Sequence, residues 1–227
     1  MKTAHLFENM KNTRDKMVKE QIIDRGITNE RIVNAFLRVP REYFVPKSMM
    51  ASAYNDNPLP IGDGQTISQP YIVARMLELL ELTGKEKVLE IGTGSGYLTA
   101  LLCECAHIVY SVDRIEKFIK QSREVLDMLG YFKAHLIAGD GSMGYYVRQP
   151  YNRIIVSAAA PRIPLALTDQ LAEDGILIIP IGDMHQQRLI KAVKKDGVVG
   201  IISADGCTFV PLIGEQGWDP AGNTSNR

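Results

Sequence analysis

The chain has 227 residues, 45% hydrophobic and 23% charged, with 26 basic side chains balancing 26 acidic ones. That composition supports a packed core and excludes a disordered chain, while the zero net charge argues against a nucleic-acid partner or an anionic membrane surface. The three cysteines, Cys103, Cys105 and Cys207, are too few for a disulfide scaffold and lack a second pair for a metal site, so reduced thiols and no metal are expected.

In chain order, residues 1–47 read as helical. Met17, Ile22 and Ile23 share a face, Asp24-Arg25-Gly26 ends the segment, and Thr28 offers a cap to a second helix carrying Ile32, Val33, Phe36 and Leu37 before Pro40. Residues 54–70, dense in Asn, Pro, Gly and Ser, predict a long loop, and long loops inside compact domains are usually functional. A helix over 70–82 follows, with Val73, Met76, Leu77 and Leu80 inward.

From Lys87 the pattern alternates. Strands are predicted at 88–91, 108–112, 134–138, 153–157 and 176–179, and helices at 96–105, 114–129 and 165–172. Strand, helix, strand at this spacing means an α/β fold with a parallel sheet and helices on both faces. A C-terminal hairpin turning at Lys195-Asp196-Gly197 falls within 187–213, and the polar residues 220–227 are expected to be disordered. The expectation is a single domain over 1–227, with an N-terminal helical and loop part (1–82) and a core of sheet and C-terminal strands (83–213). No signal-peptide run opens the chain and no segment reaches membrane-span length, so a cytoplasmic setting is expected.

The strongest local signal is Val88-Leu89-Glu90-Ile91 running into Gly92-Thr93-Gly94-Ser95-Gly96. Glycines after a buried strand let the chain turn sharply and approach a ligand with its backbone. Asp113 ends the next strand about 20 residues on, where Rossmann-like proteins bind ribose hydroxyls; a cap for the helix from Arg114 is the competing reading. The turn runs G-x-G-x-G rather than G-x-G-x-x-G, with Tyr97 where a dinucleotide binder has its third glycine. It resembles the turn of class I methyltransferases, which implies a Rossmann-like sheet and S-adenosylmethionine as cofactor. Gly139-Asp140-Gly141 ends the third strand, where such enzymes place an acid against the adenine; a plain strand-to-loop turn is the alternative there.

Pro60-Ile61-Gly62-Asp63-Gly64-Gln65-Thr66-Ile67-Ser68-Gln69-Pro70-Tyr71 closely resembles the signature loop of protein-L-isoaspartate O-methyltransferases. The resemblance extends to Gln21–Ile27, Val39–Pro46, Ile154–Pro161 and Phe209–Leu212. It implies S-adenosylmethionine-dependent methylation of the α-carboxyl of L-isoaspartyl residues, and of some D-aspartyl ones, in damaged proteins and peptides, which are the expected partners. S-adenosyl-L-homocysteine is the product, and the methyl ester closes to a succinimide whose hydrolysis restores part of the aspartate. Ser68 falls on the active-site serine, with Thr66, Ile67 and Gln69 beside it on the substrate side. Gly92, Thr93, Gly94, Gly96, Asp113, Arg114, Asp140 and Gly141 fall on cofactor-binding positions. Asp63 departs from the pattern, being acidic where an aromatic or apolar residue is expected beside a site for an anion.

A carboxylate with a pKa near 4 is already ionised at neutral pH, so this transfer needs no general base. The four scattered histidines, His5, His107, His135 and His185, are read as structural or surface residues. Ser68 would orient the substrate carboxylate or cap the helix after Pro70, and could do both. A small-molecule O-methyltransferase and a noncatalytic S-adenosylmethionine-binding protein are the competing functions.

Overall fold

The computed structural model describes residues 2–219, and their side chains except those of 2–9, 203 and 204. The tail expected to be disordered, 220–227, and the His5 side chain lie outside the described residues.

Helix α1 (Lys2–Met17) runs on through a π-helical turn, Val18–Ile22, and a 3-10 turn, Ile23–Arg25. Gly26 ends the run in the left-handed region, at φ 94°. Helix α2 (Glu30–Arg38) buries Ile32 and Phe36, with Val33 and Leu37 packed at the margin. Its cap is Asn29 and not Thr28: the Asn29 side chain accepts from the N–H groups of Arg31 at 3.0 Å and Ile32 at 3.4 Å. These are the second and third helical residues, the donors a capping oxygen can reach, and Thr28 sits one residue too early.

The stretch 54–70 is more ordered than the loop expected there. It holds an antiparallel hairpin of β1 (Leu59–Gly62) and β2 (Gln65–Ile67). Leu59 and Ile67 oppose each other and both are buried, while Asp63 and Gly64 form the turn at φ 50° and 69°. A two-residue hairpin turn of this hand needs positive φ at both positions, which Asp-Gly tolerates. Helix α3 (Pro70–Leu80) then buries Val73, Met76, Leu77 and Leu80, as the spacing predicts.

The main sheet contains β3 (Lys87–Ile91), β4 (Ile108–Asp113), β5 (Ala134–Ala138), β6 (Tyr151–Val156), β7 (Leu171–Gly182), β8 (Gln187–Lys195) and β9 (Val198–Cys207). Their order is β5-β4-β3-β6-β7-β8-β9, the first five parallel and the last two antiparallel. The C-terminal hairpin therefore extends the parallel sheet, and its turn is Asp196-Gly197, at φ 52° and 74°. Strand β7 is longer than the predicted 176–179 because Ala172–Gly175, polar and interrupted by Asp174 at φ 55°, hides its first half. Helices α4 (Tyr97–Cys105), α5 (Glu116–Met128) and α6 (Leu165–Asp169) complete the layers. Among the described residues no helix is long and apolar enough to cross a membrane.

Strand periodicity divides the core. Val88, Val109, Ile155, Ile176 and Ile178 pack with α3, α4 and the N-terminal helices, while Leu89, Ile91, Val112, Ile154, Val156, Leu177 and Ile179 join the opposite cluster. Strand order reverses at β3, with β4 on one side and β6 on the other. Such a reversal opens a crevice at the carboxyl ends of the strands, where open α/β sheets bind ligands.

Replacing Asn29 with Ala removes the cap and is expected to lower stability by about 1 kcal/mol, roughly 2–4 °C in Tm for a chain of this size. Thr28→Ala should change Tm by less than a degree. Thermal denaturation of both variants checks the assignment, and a larger loss from Thr28→Ala refutes it.

Candidate active site

The crevice is lined from four directions. The hairpin and the segment after it supply Gln65, Thr66, Ile67 and Ser68; the glycine turn supplies Gly92, Thr93 and Gly94. The end of β4 supplies Asp113, Arg114 and Ile115, and Ser157, Ala158 and Val210–Ile213 close the remaining side, with Gly141 at its edge. Most of the residues expected from the sequence therefore meet in one cleft.

The turn is held by hydrogen bonds and by close approach. The Gly92 N–H donates to Val112 O at 2.8 Å, Gly96 N–H to Thr93 O at 2.8 Å, and the Ser122 hydroxyl to Gly94 O at 2.8 Å. Gly96 (φ 84°) starts α4, and a Cβ there would sit 3.0 Å from that of Ser122. Gly96 thus serves the packing of the turn on α5 and does not line the cleft, whereas Gly92 and Gly94 do.

Asp113 is buried, and burial pushes its carboxyl pKa up against the opposing pull of two N–H groups. Its Oδ2 accepts from Gly94 at 2.8 Å and its Oδ1 from Ile115 at 2.9 Å. Helix α5 begins at Glu116, so Asp113 braces the turn and the loop before the helix instead of capping it. A carboxylate has about four lone-pair sites, so each oxygen keeps one for a ligand hydroxyl.

Asp140 takes a different place. Its Oδ1 accepts from the Ser142 N–H at 2.9 Å and hydroxyl at 2.7 Å, and its Oδ2 from the Glu215 N–H at 2.7 Å. It caps the short turn Gly141–Met143 and fastens the C-terminal segment, and Gly141 rather than Asp140 faces the cleft. Gln69 is also outside the lining: its amide donates to Asp56 Oδ1 at 2.8 Å, tying the hairpin base. Ser68 does not cap α3, whose cap position is Gln69 with no side-chain bond. Asp63 stands at the hairpin tip, 2.8 Å from Lys117 Nζ of α5, and is not part of the lining.

Two features were not expected. Residues 210–213 reach the cleft because Ala159 and the tail exchange bonds: Ala159 N–H to Val210 O and Leu212 N–H to Ala159 O, both at 2.8 Å. Beneath the turn lies a buried polar network. Thr93 and Ser111 share a hydrogen bond at 2.6 Å, and the Thr99 hydroxyl donates to Glu90 Oε2 at 2.6 Å. Glu90 is fully buried with Oε1 unpartnered among the described residues, and burial raises its pKa to about 8. An acid inside the apolar run Val88–Ile91 was the sequence signal for it.

A fit to S-adenosylmethionine follows from this geometry. Gly92 and Gly94, at φ 94° and 50°, present their backbone to the cleft at the end of β3, and a buried carboxylate stands at the end of β4, where a ribose diol would lie.

A sequence model of the protein-L-isoaspartate(D-aspartate) O-methyltransferase family matches residues 12–217. Protein-L-isoaspartate O-methyltransferase 1 of Pelobacter propionicus is 53% identical over 214 residues, covering 92% of this chain and 100% of the relative. Protein-L-isoaspartate O-methyltransferase 2 of Geotalea uraniireducens is 49% identical over 211 residues, 92% of this chain and 97% of its own. A solved protein-L-isoaspartate O-methyltransferase superposes with a TM-score of 0.82 at 29% identity, covering 90% of this chain and 67% of that one. A Plasmodium falciparum structure assigned to the same family, in complex with S-adenosyl-L-homocysteine, gives a TM-score of 0.76 at 25% identity over 88% of this chain and 98% of that one.

The Glu90 carboxyl makes stability depend on pH. Between its ordinary value of 4.5 and the folded value of about 8, the unfolded chain loses this proton while the folded protein keeps it. Its contribution therefore falls as pH rises through that window and levels off above it. Glu90→Gln removes the titration, so its urea midpoint relative to wild type should climb between pH 5 and pH 8. Parallel midpoints across that range would show that Glu90 is already ionised in the fold.

Proposed function

The chain belongs to the protein-L-isoaspartate(D-aspartate) O-methyltransferase family, and on that premise we infer how its cleft methylates the α-carboxyl of L-isoaspartyl, and some D-aspartyl, residues in damaged proteins and peptides. The cofactor is S-adenosylmethionine, which when bound supplies an electrophilic sulfonium methyl. One observation carries the reading: Thr66, Ile67 and Ser68 line the same cleft as Gly92–Gly94 and Asp113.

In this reading Gly92, Thr93 and Gly94 receive the cofactor against their backbone, Asp113 holds its ribose, and Arg114 and Gly141 flank it. Gly96, Asp140 and Gln69 support the site from behind. Ser68 donates a hydrogen bond that orients the substrate carboxylate, and Thr66 and Ile67 hold the neighbouring peptide backbone. Because the nucleophile is already ionised, no base is required of the chain. Val210, Leu212 and Ile213 exclude water, which favours a step in which opposite charges neutralise each other. Holding the two reactants in attack geometry can supply roughly 7–11 kcal/mol. The resulting ester closes to a succinimide without further help, and hydrolysis returns part of it to aspartate.

The chain then works as one domain, with 1–82 supplying the substrate side and 83–213 the cofactor core. A cytoplasmic setting is part of the proposal, in keeping with Cys103, Cys105 and Cys207 all being free thiols.

Tritiated methyl should enter an isoaspartyl peptide and not its normal aspartyl twin. Ser68→Ala is expected to cut kcat/KM on the order of 10²-fold, as loss of one preorganised donor does elsewhere, with S-adenosylhomocysteine affinity by calorimetry unchanged. Equal labelling of both peptides rejects the substrate assignment, and unchanged turnover rejects the role of Ser68.

Because Lys117 neutralises Asp63 at the hairpin tip, Asp63→Asn should leave KM for the isoaspartyl peptide within about twofold at low and high salt. A KM that drops severalfold only at low salt would mean Asp63 repels the substrate after all.

A further inference from the structure

Among the described residues Arg41 is the largest fully buried side chain, at 0% exposure; no carboxylate pairs with it there, and its Nη1 has no hydrogen-bond partner. A guanidinium so placed is costly unless its geometry matters, since an apolar side chain would fill the same space. Its neighbour Glu42 does not compensate it by a direct bond: Glu42 accepts instead from the Tyr54 hydroxyl. What Arg41 does bond is backbone. Nε donates to Ala53 O and Nη2 to Ser68 O, each at 2.8 Å. Those two carbonyls flank residues 54–67, the whole segment that carries the hairpin. The same guanidinium stacks 4.7 Å from the ring centroid of Tyr97, the first residue of α4 directly after Gly96. Tyr97 and Ser68 both line the cleft.

We propose that Arg41 is a positioning residue for methyl transfer: its planar fork fixes both ends of the hairpin segment against Tyr97, and so sets Ser68 at a constant distance from the cofactor turn. A rigid fork suits this task because it presents two donors in a fixed relation to two carbonyls at once, which a single ammonium does not do. Among the described residues the Ser68 carbonyl accepts one hydrogen bond, from Arg41 Nη2. The proposal rests on the reading of Ser68 as the group that orients the substrate.

The test is a kinetic double-mutant cycle on the full chain with Arg41→Lys, Ser68→Ala and the pair, using an isoaspartyl peptide. Arg41→Lys should lower kcat about 10-fold or more while S-adenosylhomocysteine affinity stays within about twofold. The double variant should be no more than about twofold slower than Ser68→Ala alone, because a displaced Ser68 and an absent hydroxyl are the same loss. If Arg41→Lys does not fold, Arg41→Gln, which removes the buried charge and keeps an amide donor, carries the same cycle. Losses that multiply, or an equal loss of S-adenosylhomocysteine affinity, overturn the proposal and leave Arg41 as packing alone. A Ser68→Ala enzyme with normal turnover overturns the reading of Ser68, and the proposal falls with it.

Discussion

The Asp113 carboxylate accepts from Gly94 at 2.8 Å and Ile115 at 2.9 Å, and so pins the glycine turn to the end of the adjacent strand. A turn with three glycines at positive φ is the part of the chain with most freedom to lose. Left to itself it would not hold one shape. The carboxylate restrains it from one side, and the Ser122 hydroxyl on Gly94 O restrains it from the other. Once the turn is fixed, α4 starts at a fixed point, and Tyr97 presents its ring to Arg41. The position of the hairpin segment then follows from the same carboxylate, through Tyr97 and the Arg41 fork.

That chain of dependence explains which parts of the molecule were legible in the sequence. The strands of the parallel core are short apolar runs between turn residues, and burial on both faces makes such runs plain; Ala134–Ala138 agrees at both ends. The Asp196-Gly197 turn is equally plain because two apolar-rich runs, 189–193 and 198–202, flank an Asp-Gly pair. Asp63-Gly64 is the same turn chemistry, yet the sequence around it reads as loop. Its strands alternate between buried and exposed positions but are only four and three residues long and contain Pro60 and Gly62, too short a pattern to stand out from the turn-rich sequence around it. The helix cap was missed by one residue, since Thr28 and Asn29 are both competent cap residues and only geometry separates them.

The site divides in the same way. Motif, spacing and the family resemblance together point to residues that line the cleft: Thr66, Ile67, Ser68, Gly92, Thr93, Gly94, Asp113, Arg114 and Gly141. They did not separate lining from support. Asp140, Gly96 and Gln69 lie in the right motifs but are occupied with Ser142 and Glu215, with Ser122, and with Asp56. The resemblance marks Phe209–Leu212 and Ile154–Pro161, but no local pattern says that the two segments meet, as Val210 and Leu212 do on Ala159. Glu90 and Arg41 form an intermediate class. Each is a charged residue placed among residues that become buried, and each serves the site by shaping what lines it, not by lining it.

Asp63 shows how a departure from a family pattern can be reconciled by turn geometry and charge together. An acid tolerates the φ of 50° that the tip requires, which most apolar residues do not. Its charge is met by Lys117 at 2.8 Å, with both side chains about half exposed. An approaching carboxylate therefore meets an ion pair, whose field falls off faster than that of a lone charge, in a setting where solvent screens what is left. The exposed pair at the tip contributes at most about 1 kcal/mol. The base of the same segment is bonded twice to a guanidinium shut away from water. Of the two attachments the tip is thus the weaker, and the base that carries Ser68 the stronger.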